Sequence, residues 1–204
     1  MSKLANNLIH KGYLKTDIII DAFSEINRTE FVSDRFRVAA ASDIPLSIGH
    51  GQVLPEPSVV AFMLELLQPK RMQDILVVGF GGGWIISMLS YIVGADGSIY
   101  AIDTIHDLKN ETEKNISKYN FIVRDNITTL ELVNTCADLP SDKKFERIFV
   151  INPDLWSFCS FRDFLLPGGV MVAPIDNIIY YFHNRAVDGE IIEERFDSIQ
   201  FLPT

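Results

Sequence analysis

The chain has 204 residues, 48% of them hydrophobic and 22% charged, with a formal net charge of −9. That length and apolar fraction allow a full core without disulfide or metal staples. The acidic balance, with a sequence pI near 4.9, argues against a nucleic-acid surface, which needs a concentrated basic face.

Cys136 and Cys159 lack C-x-x-C spacing and read as reduced thiols, and His10, His50, His106 and His183 are too scattered for a metal site. The first residues, Met1 to Asn7, contain no continuous apolar run, and no apolar stretch reaches the roughly 18 residues of a membrane span. A cytoplasmic protein is the default expectation.

In chain order, Asp17 to Glu25 sets Ile18, Ile19, Ala22 and Phe23 at helical spacing, with Thr16 or Asp17 as the cap. A short helical piece follows near Asp34 to Ala41. Asp43 to Pro57 is rich in Gly and Pro but contains Ile44, Leu46, Ile48, Val53 and Leu54, so it reads as an ordered loop. Ser58 to Leu67 is helical, with Ser58 as cap and Pro69 just past its end. Strands are expected at Asp74–Val78, Ser98–Ile102, Asn120–Arg124, Arg147–Ile151 and Val170–Pro174, the last preceded by a turn at Leu166-Pro167-Gly168-Gly169. Two further strands, Ile178–Phe182 and Ile191–Phe201, meet near Val187 to Glu190. Strands alternating with helix-sized segments predict an α/β, doubly wound, mostly parallel sheet with a helical N-terminal segment and antiparallel C-terminal strands. Residues 1–204 form one domain in this reading, with a helical preface and loop over 1–57 and an α/β body over 58–204.

The run Ile75-Leu76-Val77-Val78-Gly79-Phe80-Gly81-Gly82-Gly83 carries the chemistry. An apolar strand ending in closely spaced glycines lets the backbone turn sharply and approach a ligand, with free N–H groups at the helix that follows. Asp103 stands twenty residues beyond Gly83, at the end of Ser98-Ile99-Tyr100-Ala101-Ile102. An acid at that strand tip accepts hydrogen bonds from both hydroxyls of a ribose. The pair points to a nucleotide-like cofactor, although three glycines also suit a plain tight turn. Asp125 either accepts from a purine amine or caps a helix starting near Ile127. Asn152-Pro153 reads as a turn.

The chain resembles the protein-L-isoaspartate O-methyltransferases, class I enzymes that use S-adenosylmethionine. The resemblance rests on Arg28-Thr29-Glu30-Phe31-Val32, Pro45-Leu46-Ser47-Ile48-Gly49-His50-Gly51-Gln52, Met63-Leu64-Glu65-Leu66-Leu67, Gly79 to Trp84, Leu166 to Gly169, and Phe201-Leu202-Pro203. Of these, Gly-His-Gly-Gln after Pro-Leu-x-Ile is the specific one. The resemblance implies methylation of the α-carboxyl of isoaspartyl residues in damaged proteins, leading through a succinimide back towards aspartate. It further implies S-adenosylmethionine or S-adenosylhomocysteine at Gly79, Gly81, Gly83, Asp103 and Asp125, and His50, Gln52 and Phe201 on the substrate side.

The loop departs from the family. Val53 stands where the family has Thr, Pro55 where it has its active-site Ser, and Glu56 replaces a small residue, bringing charge toward an incoming carboxylate. Val77 replaces an acid two positions before Gly79, and Phe80 replaces a small polar residue. Two readings follow: an isoaspartyl methyltransferase, or a catalytically silent relative that keeps the cofactor site as a binding or regulatory module. A methyltransferase with another acceptor is a third.

Overall fold

In this computed structural model the described residues are 1–119, 126–131, 139, 142–152, 154–155 and 160–200, with 198–200 described for backbone alone. The Asn120–Arg124 strand, Asp125, Cys136, Cys159 and Phe201 lie outside them.

Helices α1 (Lys3–His10) and α2 (Asp17–Glu25) open the chain. Helix α1 was not expected from the pattern. Its signals are short: Ser2 Oγ accepts the Ala5 N–H at 3.1 Å, and Leu4 and Leu8, one turn apart, are buried. At α2, Thr16 holds the cap position, but its hydroxyl donates to Glu65 of helix α3 (Pro57–Leu67) at 2.7 Å. The piece near Asp34–Ala41 is two short 3₁₀ turns, Asp34–Phe36 and Val38–Ala41.

The Gly- and Pro-rich loop folds into a hairpin of β1 (Leu46–Gly49) and β2 (Gln52–Leu54). Gly49, His50 and Gly51 turn it with φ of +88°, +54° and +70°, values that glycine adopts at no steric cost. Leu46 and Leu54 face each other toward the core, while Ser47 faces Val53 on the other side. Ser58 does not cap α3. Its N–H donates to Asp43 Oδ1 at 2.9 Å, so the cap comes from a side chain fifteen residues away.

The seven-stranded sheet runs in the order β5-β4-β3-β6-β7-β8-β9. Its strands are β3 (Asp74–Val78), β4 (Ser98–Asp103), β5 (Ile127–Glu131), β6 (Phe145–Val150), β7 (Leu165–Ile175), β8 (Ile178–Asn184) and β9 (Ile191–Gln200). β5 through β7 are parallel neighbours, and β8 and β9 add antiparallel strands at one edge. This is the mostly parallel α/β sheet expected. Two details differ. Ile127 opens a strand rather than the expected helix. Leu166 to Gly169 bulges inside β7, where two steps on β6 face five on β7.

Helices α4 (Trp84–Val93) and α5 (His106–Ile116) follow β3 and β4. The helical preface shares one apolar cluster with the sheet: Leu8, Ala22, Phe23 and Ile26 pack with Val77, Trp84, Ile85 and Phe149. A second cluster, including Leu76, Val78, Ile148, Met171 and Phe182, covers the other face of the sheet. The chain moves outward from β3 to β4 and β5, then returns to β6 on the opposite side of β3. The carboxyl ends of β3 and β6 thus flank a topological switch point, where sheets of this kind bind ligands.

Candidate active site

The glycine turn leaves β3 at that switch point. Gly79, Gly81, Gly82 and Gly83 all have positive φ, between +52° and +101°. At three of them the backbone comes too close to its neighbours for an easy side chain. A Cβ at Gly79 would lie 2.8 Å from the Asn152 nitrogen, one at Gly81 would lie 3.1 Å from Ile151 Cδ1, and one at Gly83 would lie 3.1 Å from Ile116 Cγ1. Gly82 is different: it faces Ile48 of the hairpin and the Phe31 carbonyl, and it opens onto a cleft of about 660 Å³.

Three chain segments wall that cleft together with Gly82: Glu30 to Arg35, Ser47 to Gly49 of the hairpin, and the α5 region through Glu111, Lys114, Asn115 and Lys118. Asn115 donates from Nδ2 to the Gly82 carbonyl at 3.0 Å, and Lys118 donates from Nζ to the Glu30 carbonyl at 2.7 Å. His50, at the hairpin tip, lies 3.6 Å from Glu111. Gln52 sits half-buried in β2.

Asp103 ends β4 as expected, yet its carboxylate works chiefly on the glycine turn. Oδ2 accepts the Phe80 N–H at 2.8 Å, while Oδ1 accepts those of Thr104 at 2.7 Å and Ile105 at 3.2 Å. A carboxylate offers about four acceptor sites, so three backbone donors leave about one, where two ribose hydroxyls would ask for two. The residue is 1% exposed, and burial pushes its pKa up against the three N–H donors, which lower it. Phe80, between the glycines, is wholly buried, which fixes the amide that Asp103 holds. Asn152 behaves as a turn residue, its Oδ1 accepting the Asp154 N–H at 3.1 Å.

Behind the hairpin lies a side chain whose role sequence reasoning did not assign. The buried guanidinium of Arg28 donates to five carbonyls: Ala40 (3.3 Å), Ser42 (3.1 Å), Ile44 (2.9 Å), Leu54 (3.3 Å) and Pro55 (2.8 Å). It also lies 5.4 Å from the Trp84 ring centre. Burial lowers its pKa to about 10, opposed by Asp43 and Glu56, so it stays charged at neutral pH. The expectation that Glu56 shows its charge to an incoming carboxylate is not met. Glu56 is 8% exposed behind the hairpin, and burial raises its pKa. Among the described residues no three His, Cys, Asp or Glu side chains converge as for a metal ion, and no helix is long and apolar enough to cross a membrane.

A sequence model of the protein-L-isoaspartate(D-aspartate) O-methyltransferases matches residues 1–204. The chain belongs to this family. It is similar to the protein-L-isoaspartate O-methyltransferases of Methanopyrus kandleri, at 29% identity over 98% of this chain and 89% of that one, and of Methanococcus maripaludis, at 30% over 97% and 92%. A Plasmodium falciparum chain assigned to the same enzyme class, crystallised with S-adenosyl-L-homocysteine, superposes with a TM-score of 0.79 over 98% of this chain and 95% of its own, at 18% identity. That likeness shows the shared fold.

Within the family's plan, Val53 and Pro55 have different surroundings. Val53 is half-buried and shares the outer hairpin face with Ser47. Pro55 is buried and contributes its carbonyl to Arg28. Val77, in the acid's position, is wholly buried between Ala101 and Phe149 of the neighbouring strands.

Proposed function

We propose that this protein transfers the methyl group of S-adenosylmethionine to the carboxyl of isoaspartyl residues in proteins. The observation that carries the reading is the glycine turn at the switch point, with Gly82 and Ser47 to Gly49 of the hairpin on one cleft, in a chain matched by the family over its whole length. The residues that bear on such a cofactor are a glycine turn with Gly82 on a cleft of about 660 Å³ and, at the tip of β4, a buried acid that holds this turn.

The cofactor, when bound, supplies an electrophilic methyl group on sulfonium. An acceptor carboxylate is already nucleophilic, so the protein's task is to hold its oxygen in line with the methyl at about 3 Å while the O–CH₃ bond forms and the C–S bond breaks. No general base is required. In this reading Gly79, Gly81 and Gly83 let the cofactor-binding turn pack closely on its own walls, Gly82 faces the cleft, Asp103 holds the turn and takes one ribose hydroxyl, and Asp125 takes the adenine amine. His50, Gln52 and Phe201 lie on the acceptor side.

Val53 and Pro55 give specific support to a second reading, a relative that binds the cofactor without transferring methyl, because the hydroxyls at both positions are missing. Isothermal titration with S-adenosylmethionine and S-adenosylhomocysteine, followed by methyl transfer to an isoaspartyl peptide in the same preparation, separates the two. Binding with transfer supports the enzyme. Binding without transfer supports the silent module, and a folded sample that binds neither ligand overturns both.

A further inference from the structure

Helix α5 is strongly polar, and only Leu108 and Thr112 are buried along it. Such a helix reads as a solvated face. The structure gives that face a task. Glu111, Asn115 and Lys118 recur at i, i+4 and i+7, the spacing that aligns side chains along one side of a helix and its continuation. Each meets a different wall of the cleft: Glu111 the hairpin tip at His50, Asn115 the glycine turn at Gly82, and Lys118 the N-terminal wall at Glu30.

The last two are joined. Lys118 Nζ also donates to Asn115 Oδ1 at 2.9 Å, which fixes the amide so that Nδ2, the donor end, points at the Gly82 carbonyl. The chain of bonds runs from the Glu30 carbonyl through the ammonium and the amide to the glycine turn. Asp103 holds the turn by the Phe80 N–H, and Asn115 adds a second hold at the Gly82 carbonyl, next to Gly83, which gives α4 no side-chain cap. Helix α5 also supports the turn by packing, with Thr112 and Ile116 against Gly83.

We propose that Asn115, oriented by Lys118, is a positioning residue that sets the glycine turn for the cofactor. What the turn holds rests on the methyltransferase reading; that Asn115 holds the turn does not. Asn115→Asp keeps the shape and the Lys118 contact but sets an acceptor against the Gly82 carbonyl. Lys118→Met keeps the apolar stem and frees the amide to rotate.

Two measurements test this on the full chain. Amide exchange at Gly83, whose N–H bonds the Phe80 carbonyl at 3.0 Å, is expected to quicken about tenfold in Asn115→Asp, with amides in the body of α4 unchanged, as for a lost local hydrogen bond. Titration with S-adenosylhomocysteine is expected to show about tenfold weaker binding in Asn115→Asp and a smaller loss in Lys118→Met. The Asn115→Leu/Lys118→Met pair should lose no more than Asn115→Leu alone, since the residues act in series. In turnover, KM for S-adenosylmethionine should rise while kcat holds. Unchanged Gly83 exchange overturns the proposal, as does unchanged affinity in a protein whose wild type binds. A wild type that fails to bind refutes the methyltransferase reading instead, and Gly83 exchange still decides whether Asn115 holds the turn.

Discussion

Replacing Arg28 with Met removes five donated hydrogen bonds while keeping an unbranched side chain in the same space. The Ala40, Leu54 and Pro55 carbonyls are bonded in buried surroundings, whereas those of Ser42 and Ile44 are partly open and can turn to water. Three stranded buried acceptors at about 1–2 kcal/mol each, roughly 3–6 kcal/mol together, less the desolvation cost of a guanidinium that is no longer buried, give a net cost of about 3–4 kcal/mol. For a domain of this size that lowers Tm by roughly 6–16 °C. Arg28→Lys retains the charge but not the planar fork, and should cost about 2 kcal/mol. Urea unfolding followed by tryptophan fluorescence reads both, since Trp84 packs against Arg28. A loss under about 1 kcal/mol in Arg28→Met at unchanged m would refute the claim that this guanidinium clamps the hairpin to the 3₁₀ segment.

Gly79→Ala should cost about 3–5 kcal/mol, because its Cβ would lie 2.8 Å from the Asn152 nitrogen at φ +101°, whereas Gly51→Ala, with φ +70° and nothing within 4 Å, should cost about 1–2 kcal/mol; equal melting losses would contradict the packing argument. Asp103→Ala strips acceptors from three backbone N–H groups and should destabilise by about 2–4 kcal/mol as well as weaken S-adenosylhomocysteine binding, so a stable variant that merely binds less well would show that the carboxylate does not hold the turn. Glu56 has a folded pKa raised by burial above its ordinary 4.5. Its contribution is therefore full below that value and lost as pH rises through the raised one. Glu56→Gln should gain on wild type in urea unfolding as pH rises from below 4.5 through the raised folded value, and a difference that stays constant with pH removes Glu56 as the cause.

Much of the fold was legible because it is written locally. Residues 75–78 are uniformly apolar and run into glycines, and α2 repeats its apolar residues at helical spacing. What was hidden depends on residues distant in the chain. Ser58 looks like a cap, but Asp43 is nearer the free N–H. Leu166 to Gly169 looks like a turn, but β6 and β8 hold the flanking residues in one strand and push the extra ones into a bulge. Asp103 was placed correctly at its strand tip, while its three N–H partners could not be read from a spacing. Arg28 and Asn115 carry no local signal at all, since a lone arginine and a polar helix face are ordinary in sequence and acquire meaning only from the carbonyls they meet.

The loop departures look like simple loss, yet the geometry separates the hairpin's shape from its chemistry. Arg28 grips main-chain carbonyls at 54 and 55, which any residue supplies, and Leu46 and Leu54 anchor the core side. Residues 53, 55 and 56 can therefore change without moving the hairpin. The acceptor carboxylate gains from hydroxyls that orient it, and Ser47 is the hydroxyl left beside Val53. Restoring Val53→Thr, Pro55→Ser and Glu56→Ala together should then leave stability within about 1 kcal/mol and raise isoaspartyl-peptide turnover by on the order of tenfold, the gain of one well-placed hydrogen bond or slightly more. Unfolding on substitution would show that the loop residues shape the hairpin after all. Intact folding and cofactor binding without a rise in turnover would move the deficit to Val77, whose wholly buried side chain leaves no carboxylate behind the glycine turn.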